Sequence, residues 1–154
     1  MSPLVTAAAL LGIAGTSVIC GTDVFSALVL SPAASRSTDA SVAELMGRIH
    51  EYGNRRLPVP GIAAILAAAA TVGFAQSSTT RAAAGVALVA LGGWLVVYLS
   101  ISAPVNKQLR AAALSHTVPA DTRALQRRWD SVIWFRAGLQ AVALGGLLIA
   151  LISD

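Results

Sequence analysis

Four stretches of this chain, about 4–30, 58–75, 82–103 and 131–152, run almost without charge, holding between them only Asp23 and Arg136. Each is long enough to cross the hydrocarbon of a bilayer, which takes ~20 helical residues. A backbone in lipid must satisfy its own N–H and C=O groups, so a run of this kind reads as a helix. Of the 154 residues, 56% are hydrophobic and only 12% charged, with a mean hydropathy of +0.72. Soluble domains carry about a quarter charged residues, so a water-soluble fold is not expected. The expected class is all-α: residues 1–154 form a single four-helix transmembrane bundle. Ser31-Pro32 is expected to stop the first span and Pro104 the third, because proline disfavours helical geometry in the residue before it. Pro58 and Pro60 suit the first turn of the second span, and 76–80 reads as a short polar turn.

Charge sets the expected orientation. Of the 11 lysines and arginines, ten (Arg36, Arg48, Arg55, Arg56, Lys107, Arg110, Arg123, Arg127, Arg128 and Arg136) fall in or beside the segments after spans one and three, and Arg81 alone borders the other side. By the positive-inside rule, segments 31–57 and 104–130 face the cytoplasm and both termini face outward, in a multi-pass protein of the cell's inner or plasma membrane. The same rule accounts for the net charge of +4 and the pI near 10.2 without a nucleic-acid partner; the partner expected is the lipid bilayer. The single cysteine, Cys20, excludes an intramolecular disulfide. Residues 1–22 contain no Lys or Arg to form a charged leader region, so the first apolar stretch reads as a retained helix.

The halves resemble one another, each a span ending at a proline (Pro32, Pro104), a basic amphipathic segment and a returning span, which suggests a duplication. Residues 41–57 read as an amphipathic interfacial helix between spans one and two, with Ser41 as N-cap, Glu44 at capping-box spacing, and Val42, Leu45, Met46 and Ile49 as its apolar face. His50 shares a stripe with Gly47 and Asn54, while Arg48, Glu51 and Arg55 are placed to form ion pairs. His116 reads as loop.

Polar residues inside spans are the informative ones, because lipid penalises them. Thr16, Cys20 and Asp23 lie on one stripe of span one. Trp94, Tyr98, Ser102 and Asn106 form one of span three, and Trp129, Ile133, Arg136 and Gln140 one of span four. All three stripes carry their polar ends in the same half of the membrane, which implies an interior pocket near the cytoplasmic side, floored by the helix bearing His50 and walled by spans one, three and four. Asp23 and Arg136 are expected to pair there, either as part of a site or as a packing device. Trp129 and Trp134, at a span end, read as interfacial anchors more readily than as ligand platforms, whereas Trp94 is deeper. The glycine pairs Gly92-Gly93 and Gly145-Gly146 suit close helix packing. There is no phosphate loop, dinucleotide-binding glycine pattern or zinc-protease helix, so no cofactor and no metal is expected.

The chain resembles the anthrone oxygenase-like integral membrane proteins, the domain-of-unknown-function family 1772. The resemblance is carried by Gly21 and Phe25 leading to Pro32, by Pro104-Val105-Asn106-Lys107-Gln108-Leu109, and by Arg128-Trp129 followed seven residues later by Arg136. Where members often carry an asparagine four residues after the tryptophan, this chain has Ile133. The resemblance implies a four-helix membrane protein, in some members a cofactor-independent oxygenase that converts an anthrone to an anthraquinone. On that reading His50 is the catalytic base, Arg136, Asn106 and Tyr98 steady an enolate-like oxygen, and Asp23, Trp94, Trp129 and Gln140 complete the binding slot. The alternative is a non-enzymatic protein that binds a lipid, a hydrophobic small molecule or a membrane partner.

Overall fold

The structure, a computed structural model, describes residues 2–153, all of whose regular elements are helical. Helix α1 (Pro3–Phe25) runs without interruption through a π turn (Ser26–Leu30) into α2 (Ser31–Ser35), so Pro32 does not stop it. The second half repeats the device: α5 (Ser78–Val97), a π turn (Tyr98–Ser102) and α6 (Ala103–Leu114), which carries Pro104 in its first turn. A proline inside an α-helix drives its ring against the carbonyl four residues back; a wider turn just before it relieves that clash and keeps the axis running. Ser31 N–H accordingly bonds Ser26 O, and Ala103 N–H bonds Tyr98 O, each five residues back. Both apolar helices are thus longer than their sequence boundaries implied.

Between them lie α3 (Asp39–Arg56) and α4 (Pro58–Phe74), bent against each other by 42°. After α6 come α7 (Thr122–Asp130) and α8 (Ile133–Ile152). Three continuous helical runs, Pro3–Ser35, Ser78–Leu114 and Thr122–Ile152, are long and apolar enough to cross a membrane, and α4 joins them if the bent α3–α4 pair counts as one span. Helices α1, α4, α5 and α8 pack in a closed ring, α1 on α4, α4 on α5, α5 on α8 and α8 back on α1.

Small residues set the spacing of that ring. A Cβ on Gly15 would stand 2.5 Å from Pro60 O, and one on Gly146 would stand 2.7 Å from Ala83 O, so α1–α4 and α5–α8 each close backbone to backbone through one glycine. Gly92 and Gly145, expected to serve the same purpose, face open space. Arg81 donates to Ala75 O at 2.7 Å and closes the short turn between α4 and α5.

Helix α3 begins one turn earlier than its apolar pattern implied. Thr38 is the N-cap, accepting from Ser41 N–H at 3.2 Å, so the Ser41–Glu44 capping box does not form. Its buried face is Val42, Ala43, Met46, Gly47 and His50, while Leu45 is 59% exposed. The helix is rolled because it packs along α6: Gly47 lies against Leu109 O and the Ala113 side chain, where any Cβ would collide. The charged residues form the expected pairs, Arg48 with Glu44 and Glu51, and Arg55 with Glu51. Arg123 of α7 ties the two halves together, bonding Asp39 at 2.6 Å, Ala34 O at 2.8 Å and Ser37 O. His116 lies in the turn after α6 with φ of 52°.

Candidate functional site

At the end of the ring where α3 crosses beneath it, the helices part around a cavity of ≈ 320 Å³. Among the residues lining it are Asp23, His50, Trp94, Tyr98, Asn106, Trp129 and Arg136, so seven of the eight side chains singled out from the sequence reach one space. The eighth, Gln140, stands behind it. Helix α4 also contributes a wall, through Pro58, Gly61, Ile62 and Ile65, which the expected walls of spans one, three and four had left out; of α8, only Arg136 takes part.

The charged centre joins three helices. Arg136 donates to Asp23 Oδ1 at 2.7 Å and to Ser102 Oγ at 2.7 Å, and Gln140 Nε2 donates to Asp23 Oδ2 at 3.1 Å. Ser102 sits in the π turn before Pro104, so the device that lets the helix pass its proline also presents this hydroxyl. Both partners of the ion pair are buried, at 3% and 5% exposure, where either charge alone would be strongly unfavourable. The guanidinium lies 5.5 Å from the Tyr98 ring and 5.7 Å from the Trp129 ring, and both aromatic faces stabilise the cation.

Around this centre the walls are aromatic. Trp94 and Tyr98 stack at 5.9 Å, and His50 lies 5.5 Å from Trp129. Gly61 makes room for the Trp94 ring, which a Cβ there would meet at 3.2 Å. Trp129 is buried, whereas Trp134 is 58% exposed, so only the latter has the outward position of an interfacial anchor. His50 is 4% exposed and therefore points inward rather than to bulk water. It sits on α3, a helix too charged to be a span by itself. Burial, and then the positive Arg136, push its pKa down to about 4, so the imidazole is neutral at physiological pH.

Several buried polar atoms that belong to this constellation have no hydrogen-bond partner: His50 Nε2, Trp94 Nε1, Trp129 Nε1, Asn106 Oδ1 and Arg136 Nε. Buried polar groups are normally satisfied, and these five all belong to residues that line the one cavity. Asn54 is the residue sequence reasoning passed over. Its Oδ1 accepts from Tyr98 Oη at 3.1 Å and from Asn106 Nδ2 at 3.2 Å, which fixes both side chains. The signal was present, since Asn54 stands four residues after His50 on the same stripe, but His50 alone of that stripe was singled out. Among the described residues no group of three or more His, Cys, Asp or Glu is arranged to hold a metal ion.

Comparison of the chain with protein-family models, with curated proteins and with solved structures finds no match.

Proposed function

We propose that this is a four-span membrane protein that binds one flat, oxygen-bearing hydrophobic molecule in the cavity and uses His50 to take a proton from it, as an oxygenase of the anthrone type would. The observation that carries the reading is the convergence of a neutral, unpartnered imidazole and an unsatisfied guanidinium edge on one aromatic-walled space. Its ≈ 320 Å³ lies at the small end of the ~300–1,000 Å³ of small-molecule sites, which suits a single fused-ring system better than a whole phospholipid.

The chemistry follows from the groups present. A ring ketone with acidic C–H hydrogens would lie between Trp94 and Trp129 with its oxygen toward Arg136. His50 Nε2 removes the proton, and negative charge develops on that oxygen, beside a guanidinium already held in place by Asp23 and Ser102. The burial that disfavours a charged imidazole is offset only while that anion is next to it, so proton transfer and anion binding are coupled. The carbanion then meets dioxygen, and an anthrone plus one dioxygen gives the quinone and one water. The resemblance of residues 104–109 and of Arg128, Trp129 and Arg136 to the anthrone oxygenase-like proteins supports the same reading.

The orientation proposed is the one the basic residues favour, with α3, α6 and α7 at the cytoplasmic rim and the termini outside. Helix α4, at 17 residues, meets the lower limit for a span.

Purified protein in lipid nanodiscs, given anthrone and dioxygen, is expected to form anthraquinone with matched oxygen uptake. The His50→Ala variant should bind anthrone but not turn it over. Because the base is active when unprotonated and its pKa lies near 4, the wild-type rate should hold from neutral pH down to about pH 5 and fall below that. Binding with no turnover by wild type would leave a carrier or receptor for such molecules; no binding at all would defeat the proposal.

A further inference from the structure

We infer that the cavity opens sideways between α4 and α5 into the acyl chains of the bilayer, so that its ligand enters from lipid rather than from water. This inference rests on the cavity being a ligand site, and adds the route by which the site is filled.

The two edges of α4 differ. On one edge Gly15 brings α1 against Pro60 O and Ala64, which seals that seam. On the edge toward α5, the residues that line the cavity are Pro58, Ile62 and Ile65, and Leu95 of α5 and Leu99 of the π turn after it line the same cavity. Ile62 is 57% exposed and Leu99 58%, while Ile65 and Leu95 are half-buried. The same side chains therefore touch the cavity and the outside, which makes this seam a mouth. All five are apolar, so water entering there would find no hydrogen-bond partner, whereas an acyl chain or an apolar ring passes without penalty. The unsatisfied polar atoms lie on the inner walls, on α3, α5, α6, α7 and α8. A molecule sliding in from lipid would thus move from an aliphatic entrance to a polar, hydrogen-bonding end. The 42° bend between α3 and α4 falls at Leu57 and Pro58, which line the same cavity.

The test uses 2-hydroxyanthracene, a lipophilic fused-ring phenol, added to the protein in phosphatidylcholine vesicles, with binding followed by the polarised emission of the probe. Ile62→Trp and Leu99→Trp, each placing a bulky ring in the mouth at a position that can fold facing lipid, should slow association by about tenfold or more and slow dissociation as well, because a plug hinders entry and exit alike, whereas mere damage to the cavity wall would speed dissociation. Val89→Trp, on the outward face of α5 where Val89 is 77% exposed, should change neither. Anthracene-2-sulfonate, which stays in water, should associate far more slowly than the phenol. Plugged variants that bind at the wild-type rate, or a sulfonate that enters as fast as the phenol, would overturn the lateral route and leave the cavity as a ligand site. A wild-type protein that binds neither probe would remove the site and its entrance together.

Discussion

From its middle to the end that holds the α4–α5 turn, the ring is closed by alanine and glycine, and two of its buried hydroxyls stay within their own helices. Thr16 Oγ1 donates to Gly12 O at 2.7 Å, and Thr71 Oγ1 to Ala67 O at 2.9 Å. At the opposite end Asp23, Ser102, Arg136 and Gln140 bond from helix to helix, aromatic rings hold the walls apart, and polar atoms are left without partners. The two ends bury polar groups under the same constraint, since lipid offers no hydrogen bonds. One end meets it locally at Thr16 and Thr71, leaves Thr80 Oγ1 without a partner, and packs tightly. The other leaves more of it unmet and encloses a cavity.

The comparison breaks most severely at the ion pair. Asp23→Asn leaves Arg136 buried beside a neutral amide and is expected to cost ~3–5 kcal/mol of folding stability, whereas Asp23→Asn with Arg136→Gln should cost less, because no unpaired charge remains. Unfolding in mixed detergent would measure both; a double variant less stable than the single one would mean that the charges do not depend on each other. At the tight end the larger effect is steric. Gly15→Ala pushes a methyl to within 2.5 Å of Pro60 O, a backbone atom that cannot swing aside, and should cost ~1–3 kcal/mol, while Gly145→Ala, with nothing within 4 Å, should be neutral or slightly stabilising. Equal effects at these two glycines would show that close approach does not set the spacing of the ring. The smallest change is Thr71→Val. Its hydroxyl bonds only to its own helix, so the loss should stay below ~1 kcal/mol. A larger loss would mean that the tight end also relies on bonds between helices.

Much of the site was legible in the sequence because lipid makes polar residues conspicuous: Asp23, Arg136 and Gln140 had nowhere to face but inward. The same logic failed on α3, which is too charged to be a span by itself, so the placing of its residues carried no comparable penalty. Leu45 was grouped on one apolar face with Val42 and Met46, and is exposed where they are buried, whereas Gly47, whose lack of a side chain lets α6 approach, sets the roll of the helix. Asn54 was missed for that reason. The prolines misled in another way. Pro32 and Pro104 were taken as stops, yet a π turn before each carries the helix on, and nothing in a single local sequence distinguishes a proline that ends a helix from one preceded by a wider turn. The wall supplied by α4 was invisible because Gly61, Ile62 and Ile65 are apolar and no stripe marks them.

The central claim is that the open end is a ligand site and not only a device for packing two charges. The variant carrying both Asp23→Asn and Arg136→Gln separates these, because it removes the charges without stranding either. Titrating it with anthrone in nanodiscs, alongside a thermal melt that confirms folding, is the most direct measurement. The account predicts a folded protein whose affinity for anthrone is at least about tenfold weaker than that of wild type and whose turnover is lost. A folded double variant that binds and turns over anthrone like the wild type would contradict it.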